Sequence, residues 1–371
     1  MTTKKIRVYL IDDSLVARLA LEKLLVGQGI EVVGTAASGL KALREIPRLR
    51  PDVVLMDILM PGMDGLECTR RLMATHATPI LIVSDLVGVR SNLNFEALKA
   101  GALDVCGKPT REEIEDGTAQ ARFGRLVRLL ADVPVVTRRS TEERPARAAP
   151  AAAVPPVESA SRSSSRPSPS SSSSSSLVRP PSALFIGAST GGPLALRELL
   201  TGLCEVGGVG LPIVIVQHMT RGFVWGLATW LLQATGYEVE LARHGTRLRP
   251  GQVLLAPDDR HVELEADRLL LVNDKATGGH RPSVDVLFHS VARHRDADRM
   301  CAVLLTGMGR DGACGLEALH RADAWTIAQD EATSVVWGMP RVAIELGAAR
   351  EVLPLPEIRA RIHHWWRLSG A

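Results

Sequence analysis

Apolar residues fall along this chain in two alternating textures. Short, nearly continuous apolar runs occupy residues 6–11, 31–35, 52–56, 80–83 and 103–106, and between them apolar positions recur at helical spacing. Val16, Leu19, Ala20 and Leu24 mark the first such helix, with Ser14 placed to cap it. Runs without polar alternation suit strands buried on both faces. Their regular exchange with helices predicts right-handed crossovers and a parallel sheet covered on both sides.

The same exchange resumes after residue 183. Apolar strands are expected at 183–187, 211–217 and 301–305, and helices through Phe223, Leu227, Trp230 and Leu231 and again over 284–294. Segments 237–241, 252–256, 261–266 and 268–272 are short and turn-bounded, and are expected to include an antiparallel hairpin. The fold class is therefore α/β, with two doubly wound parallel-sheet domains. Residues 131–182 break the pattern with Arg, Ala, Pro and Ser, including an unbroken serine run at 170–176. Such a stretch buries too little apolar surface to offset its ordering entropy, so a disordered linker is expected. The domains follow as 1–130, 131–182 and 183–371.

Composition narrows the function. A net charge of +3 over 371 residues, with basic residues scattered rather than grouped with aromatics, gives no support for a nucleic-acid partner. The five cysteines are widely spaced and form no Cys-x-x-Cys pair, as expected of small apolar residues in a reducing compartment. No signal-peptide core and no bilayer-length apolar run is present, so a cytoplasmic protein without direct membrane insertion is expected.

In an open parallel sheet, ligands bind beyond the carboxyl ends of the strands. The first domain places Asp12, Asp13, Asp57, Ser84 and Lys108 at such ends. Carboxylate oxygens with waters suit Mg²⁺, and a lysine and a hydroxyl can bind phosphoryl oxygens. These residues, with Met60-Pro61-Gly62-Met63-Asp64-Gly65 and Lys108-Pro109, resemble a two-component receiver domain of flavodoxin-like fold. The resemblance implies that Asp57 accepts a phosphoryl group from a histidine kinase. It implies Mg²⁺ held by Asp12, Asp13, Asp57 and the Leu59 backbone carbonyl, with Ser84 and Lys108 sensing the phosphate. Three positions before that lysine the family usually has an aromatic residue, and this chain has Val105.

In the second domain, Gly187-Ala188-Ser189-Thr190-Gly191-Gly192-Pro193 spells strand, tight turn and helix. Three readings of that turn stand open on its own letters. Ser189 is a nucleophile at an elbow, the glycines admit a dinucleotide pyrophosphate, or the turn carries no chemistry. The next strand ends in Gln217-His218, not in the acidic residue that a ribose would call for, and the strand at 301–305 leads to Asp311. A histidine there suits a serine nucleophile: Nε2 takes the hydroxyl proton and a carboxylate on Nδ1 fixes the tautomer. Asp258, Asp285 and Asp330 compete with Asp311 for that role, and His261 and His280 sit in loops able to shape the site. The backbone N–H groups of Met308 and Thr190 are candidate oxyanion donors.

These residues, with Gln217-His218-Met219, His280-Arg281-Pro282-Ser283-Val284-Asp285 and Thr306-Gly307-Met308-Gly309-Arg310-Asp311-Gly312, resemble the CheB-type methylesterase family over about residues 183–369. With the receiver in front, the resemblance implies a larger Rossmann-like catalytic domain without a cofactor. It implies Ser189 as nucleophile, His218 as base and Asp311 as orienting acid. The substrates would be methylated chemoreceptors, whose glutamyl methyl esters are hydrolysed to release methanol, with deamidation of receptor glutamines beside it. The alternatives are a receiver-controlled interaction module without catalysis and a phospho-regulated dehydrogenase.

Overall fold

The computed structural model describes residues 5–85, 92–135, 182–205 and 210–368. The expected linker falls almost wholly on residues 136–181, outside the described residues.

The N-terminal part alternates β1 (Arg7–Ile11), α1 (Leu15–Val26), β2 (Glu31–Ala36), α2 (Gly39–Leu49), β3 (Val53–Met56), α3 (Gly65–Thr75), β4 (Ile80–Ser84), α4 (Asn92–Ala100), β5 (Asp104–Gly107), α5 (Arg111–Glu115) and α6 (Thr118–Ala131). Its five strands are parallel in the order β2-β1-β3-β4-β5. The strands that read as unbroken apolar runs are buried on both faces: Val53, Val54, Leu55 and Met56 are all within 1% of full burial. Helix α1 departs from the expected face. Its buried residues are Leu21, Leu24 and Leu25, whereas Val16 and Leu19 are 78% and 56% exposed. An almost wholly apolar first two turns offered several faces of equal period, and contact with the sheet chose the later one.

The C-terminal part begins with β6 (Ala183–Ala188), α7 (Gly192–Glu205), β7 (Ile213–Gln217), α8 (Val224–Thr235), β8 (Glu238–Leu241), β9 (Thr246–Arg247), β10 (Gln252–Leu255), β11 (His261–Glu265) and β12 (Arg268–Val272). It continues with α9 (Val284–Ala292), β13 (Met300–Leu304), α10 (Ala313–Arg321), β14 (Trp325–Gln329), α11 (Met339–Glu345), β15 (Glu351–Leu353) and α12 (Leu355–Leu368). Seven strands form a parallel sheet in the order β15-β14-β13-β6-β7-β10-β8. The turn-bounded segments divide. β8 and β10 join the parallel sheet, while β11 and β12 make the antiparallel hairpin and carry β9 at its edge. Strands β14 and β15 lie outside the strands expected from the sequence.

Strand β6 is the point where the order of strand addition reverses in this parallel sheet. From it the chain steps to β7 on one side, and later strands add on the other through β13. A crevice opens beyond the carboxyl ends at such a switch point.

The two parts pack together. Phe95 of α4 meets Trp230 of α8 with ring centroids 5.5 Å apart, and Trp230 Nε1 donates to Glu96 Oε1 at 3.1 Å. Nearby, the Gly107 N–H donates to Thr220 Oγ1 at 3.0 Å. Val105 lies 6% exposed in the apolar cluster that continues across this boundary to Phe223 and Trp230. Among the described residues, no helix is long and apolar enough to cross a membrane.

Candidate active site

Three neighbouring strand ends supply the site. Ser189 follows β6, His218 follows β7, and the loop from Leu305 to Gly312 follows β13. Main-chain hydrogen bonds lace them together: Ser189 N–H donates to Thr306 O at 3.0 Å, and His218 N–H to Ala188 O at 2.9 Å. Buried amides complete the frame. Gln217 Nε2 donates to the carbonyls of Ser189 and His218, each at 2.8 Å, and Gln329 Oε1 accepts from Thr306 N–H at 2.8 Å. Buried polar groups with such partners fix a loop firmly, since any other arrangement leaves them unsatisfied.

Close approach requires glycine at two positions here. Gly191 has φ +77°, which a side chain rarely adopts. A Cβ on Gly307 would lie 2.7 Å from Ser189 Cβ and 2.4 Å from Met339 Sδ. The turn thus holds Ser189 against the loop after β13, with the serine itself 9% exposed.

Asp311 is the carboxylate brought to His218. His218 Nε2 lies 2.8 Å from Asp311 Oδ2. The carboxylate also accepts from Ser283 Oγ at 2.8 Å, Val284 N–H at 2.7 Å and Asp285 N–H at 3.0 Å. These donors belong to the start of α9, where N–H groups lack helical partners and the dipole favours negative charge. Burial alone would raise the Asp311 carboxyl, but His218 and these donors outweigh it and hold it well below the usual carboxylate range. The competing acids are engaged elsewhere. Asp258 accepts from Gly222 N–H, Asp285 from Gly315 N–H, and Asp330 from Thr333.

The ring of His218 is turned the other way from expectation. Nε2 is the nitrogen that lies against the carboxylate, and both ring nitrogens are buried without a hydrogen bond of good angle among the described residues. The reason is reach. Asp311 is anchored at the start of α9 by Ser283, Val284 and Asp285 while the His218 backbone is tied to Ala188, and the far nitrogen of the ring spans that gap. A proton on Nε2 leaves the Nδ1 lone pair as the available base.

Two further histidines shape the site. His261 Nδ1 accepts from Ser283 N–H at 3.2 Å while Nε2 lies 3.1 Å from the Lys275 carbonyl, so this ring fixes the start of α9. His280 stacks on His218 with centroids 3.9 Å apart and planes 2° from parallel. Burial, ahead of the neighbouring His218, pushes His280 down to about 4, so it is a neutral ring at neutral pH. Motif reading singled out both loops but not the stacking, which depends on how the chain returns from the β11–β12 hairpin.

The crevice continues to the N-terminal part as a cleft of about 920 Å³, shared by Ser189, Thr190, His218, His280 and Met308 on one wall and by Asp104, Arg122 and Arg125 on the other. The Thr190 side chain hydrogen-bonds Asp104, and burial pushes that carboxyl up to about 7. Met308 packs against the N-terminal apolar core.

The acidic pocket of the first sheet is also assembled. Asp12, Asp13 and Asp57 offer carboxylate oxygens within 4.8 Å of one another, a hard-oxygen donor set that fits Mg²⁺. Lys108 Nζ pairs with Asp12 at 2.7 Å and Asp57 at 3.0 Å. Burial raises Asp57 above its ordinary range despite that lysine. Lys108 is lowered by burial, but the two carboxylates outweigh this and hold it above its ordinary range. Ser84 is buried at the end of β4 and its carbonyl accepts from Lys108 N–H at 3.2 Å, while Leu59 lies half exposed beside Asp57.

Comparison with known proteins assigns both parts of the chain to families. Residues 184–362 match the family model for CheB methylesterase, and residues 8–116 that for the response regulator receiver domain. A protein-glutamate methylesterase/protein-glutamine glutaminase of Syntrophus aciditrophicus is 39% identical over 96% of this chain and 97% of its own length. One from Myxococcus xanthus is 41% identical over 100% and 99%. The chain belongs to the CheB methylesterase family. The crystal structure of the Thermotoga maritima CheB methylesterase catalytic domain covers 50% of this chain and 98% of its own at 35% identity, with a TM-score of 0.47. Family membership removes the dinucleotide reading of the Ser189 turn.

Proposed function

We propose that this chain is a phosphorylation-regulated protein-glutamate methylesterase that acts in the cytoplasm on methylated chemoreceptors and also deamidates receptor glutamines. The observation that carries the reading is the convergence of Ser189, His218 and Asp311 beyond three adjacent strands, with Ser189 and His218 lining a cleft whose other wall is the receiver.

In this mechanism Ser189 Oγ attacks the ester carbonyl as His218 Nδ1 takes its proton. Asp311 accepts the Nε2 hydrogen and stabilises the imidazolium. The tetrahedral oxyanion is held by backbone N–H groups of Thr190 and Met308. The His218 proton passes to the departing methoxide, methanol leaves, and a glutamyl ester of Ser189 remains. Water, deprotonated by His218, then attacks that ester; the glutamate carboxylate is released and Ser189 regains its proton. With a glutamine substrate the same steps release ammonia.

The receiver is read as the control. Asp57 accepts the phosphoryl group from the pathway's histidine kinase, and Asp12, Asp13 and Asp57 with the Leu59 carbonyl would hold Mg²⁺, which neutralises the phosphoryl charge. Roughly two added negative charges then disturb the Lys108 ion pairs and weaken the closed interface. Methanol release from receptor-containing membranes tests the reading. Wild type should release methanol, Ser189→Ala should not, and a small-molecule phosphodonor should stimulate wild type but not Asp57→Asn. Equal release by Ser189→Ala would remove the nucleophile assignment.

A further inference from the structure

We infer that His280 is a positioning residue for the base, its flat ring holding the His218 imidazole in the plane that aims Nε2 at Asp311 and Nδ1 at the serine. The inference rests on the serine-hydrolase reading above and adds a residue to it.

The 2.8 Å approach of Nε2 to Asp311 Oδ2 touches the His218 ring at a single point, and among the described residues neither ring nitrogen has a hydrogen bond of good angle. One contact lets the ring pivot about its bond to Cβ, and a pivot of a few tens of degrees moves Nδ1 away from the hydroxyl. Something must resist that motion before substrate arrives. A second ring at 3.9 Å and 2° does so, since any pivot drives one edge of His218 into the face of His280.

His280 is itself well held. Its N–H and C=O exchange hydrogen bonds with Thr277 at 2.9 and 3.0 Å. The chain then runs directly to Ser283, Val284 and Asp285, the three donors to Asp311. One segment, residues 280–285, therefore fixes both the face of the base and the place of its acid. Any displacement of the segment moves both together and keeps their relative geometry.

Charge is consistent with this role. The groups facing His280 are His218 and Asp311 within the site and Arg125 from α6 of the receiver, with Arg281 next to it in the chain. Burial, His218 and Arg125 disfavour a proton on His280 and together outweigh Asp311, which favours one. It therefore meets the imidazolium formed during catalysis as a neutral π face, an attractive arrangement, rather than as a second cation.

The experiment uses the full-length chain and two readouts. One is methanol release from methylated receptor membranes; the other is the rate at which a fluorophosphonate labels Ser189, which forms the Ser–O–P bond, expels fluoride and gives the serine proton to His218 without a receptor. His280→Ala should lower kcat by about 10- to 100-fold with KM within about twofold, and slow labelling by a similar factor. His280→Phe, which keeps a flat ring without nitrogens, should recover most of both rates, and both variants should melt close to wild type. Wild-type rates in His280→Ala, or His280→Phe as slow as His280→Ala at equal melting temperature, would overturn the inference. A wild type that labels but releases no methanol would instead remove the substrate reading, with the role of His280 still decided by the labelling rates.

Discussion

The backbone N–H of Gly107 donates to Thr220 Oγ1 at 3.0 Å, joining the residue before Lys108 to the second residue after His218. The pair is also packed tightly: a Cβ on Gly107 would lie 2.7 Å from Thr220 Cγ2. The acidic pocket and the candidate base are thus linked through a few bonds, without an aromatic side chain at position 105. Thr220→Val keeps the shape and deletes the acceptor, a loss of about 1 kcal/mol in the closed state. Methanol release without phosphodonor should rise about fivefold, while the stimulated rate changes little. Equal ratios of stimulated to basal release in wild type and variant would show that this bond does not hold the interface closed.

Asp311 leads to a prediction with two readouts. Asp311→Asn replaces an acceptor by a group that places an NH₂ among Ser283 Oγ, Val284 N–H and Asp285 N–H, and it no longer fixes the proton on Nε2 of His218. Release of methanol should fall at least about 10³-fold. The pH dependence of stability should change as well. A carboxyl held below its unfolded value stabilises the fold above the ordinary carboxylate range, and that contribution is lost as pH falls through its depressed folded value. Acid titration of stability, followed by circular dichroism, should therefore be shallower below about pH 4 in the variant than in wild type.

The legible and illegible parts of this chain differ in physical kind. Buried parallel strands announce themselves as apolar runs, which is why β1, β3, β6, β7 and β13, and with them the strand-end positions of Asp57, Ser189 and His218, can be located from the letters alone. Strand β15 cannot: Glu351, Val352 and Leu353 form a three-residue edge, with Val352 45% exposed. Its pairing comes from β14, not from its own pattern. Side-chain orientation was equally hidden. Spacing places His218 near Asp311, but which nitrogen meets the carboxylate depends on where Ser283, Val284 and Asp285 anchor it. Those donors are distant in sequence, and only the Pro-Ser-Val-Asp helix start hints at them.

Gly307 tests whether the crevice geometry, rather than the mere presence of the three side chains, supports activity. Its N–H donates to Val336 O at 2.9 Å, and its carbonyl accepts from Gly338 and Met339 N–H at 3.0 and 2.9 Å, so the backbone there cannot retreat cheaply. Gly307→Ala presses a methyl on Ser189 Cβ and Met339 Sδ. Overpacking of this kind costs about 1–3 kcal/mol, and a displaced nucleophile costs more in rate than in stability. The variant should remain folded, with a melting temperature lowered by a few degrees and methanol release reduced by about 10²-fold or more. Full activity with an unchanged melting temperature would mean that the Ser189 turn is looser than its packing indicates.

Asp104 makes the closed interface sensitive to pH. Its carboxyl lines the cleft, accepts from the Thr190 side chain and from Val105 N–H at 2.8 Å, and is pushed by burial up to about 7. When the receiver moves away, water reaches the group and its pKa returns toward about 3.9. The closed state therefore binds the proton more tightly than the open state. Closure is favoured at low pH, and this contribution is lost as pH rises from the ordinary carboxylate range through about 7. Release of methanol without phosphodonor, divided by release with it, should accordingly rise severalfold between about pH 6 and pH 8. Taking the ratio cancels any effect of pH that is common to both rates. Asp104→Asn removes the ionisation while keeping an oxygen for Thr190, so its ratio should be flat across the same range and close to the low-pH value of wild type. A wild-type ratio that falls with rising pH, or a variant that tracks wild type, would exclude Asp104 as the titrating group at the interface.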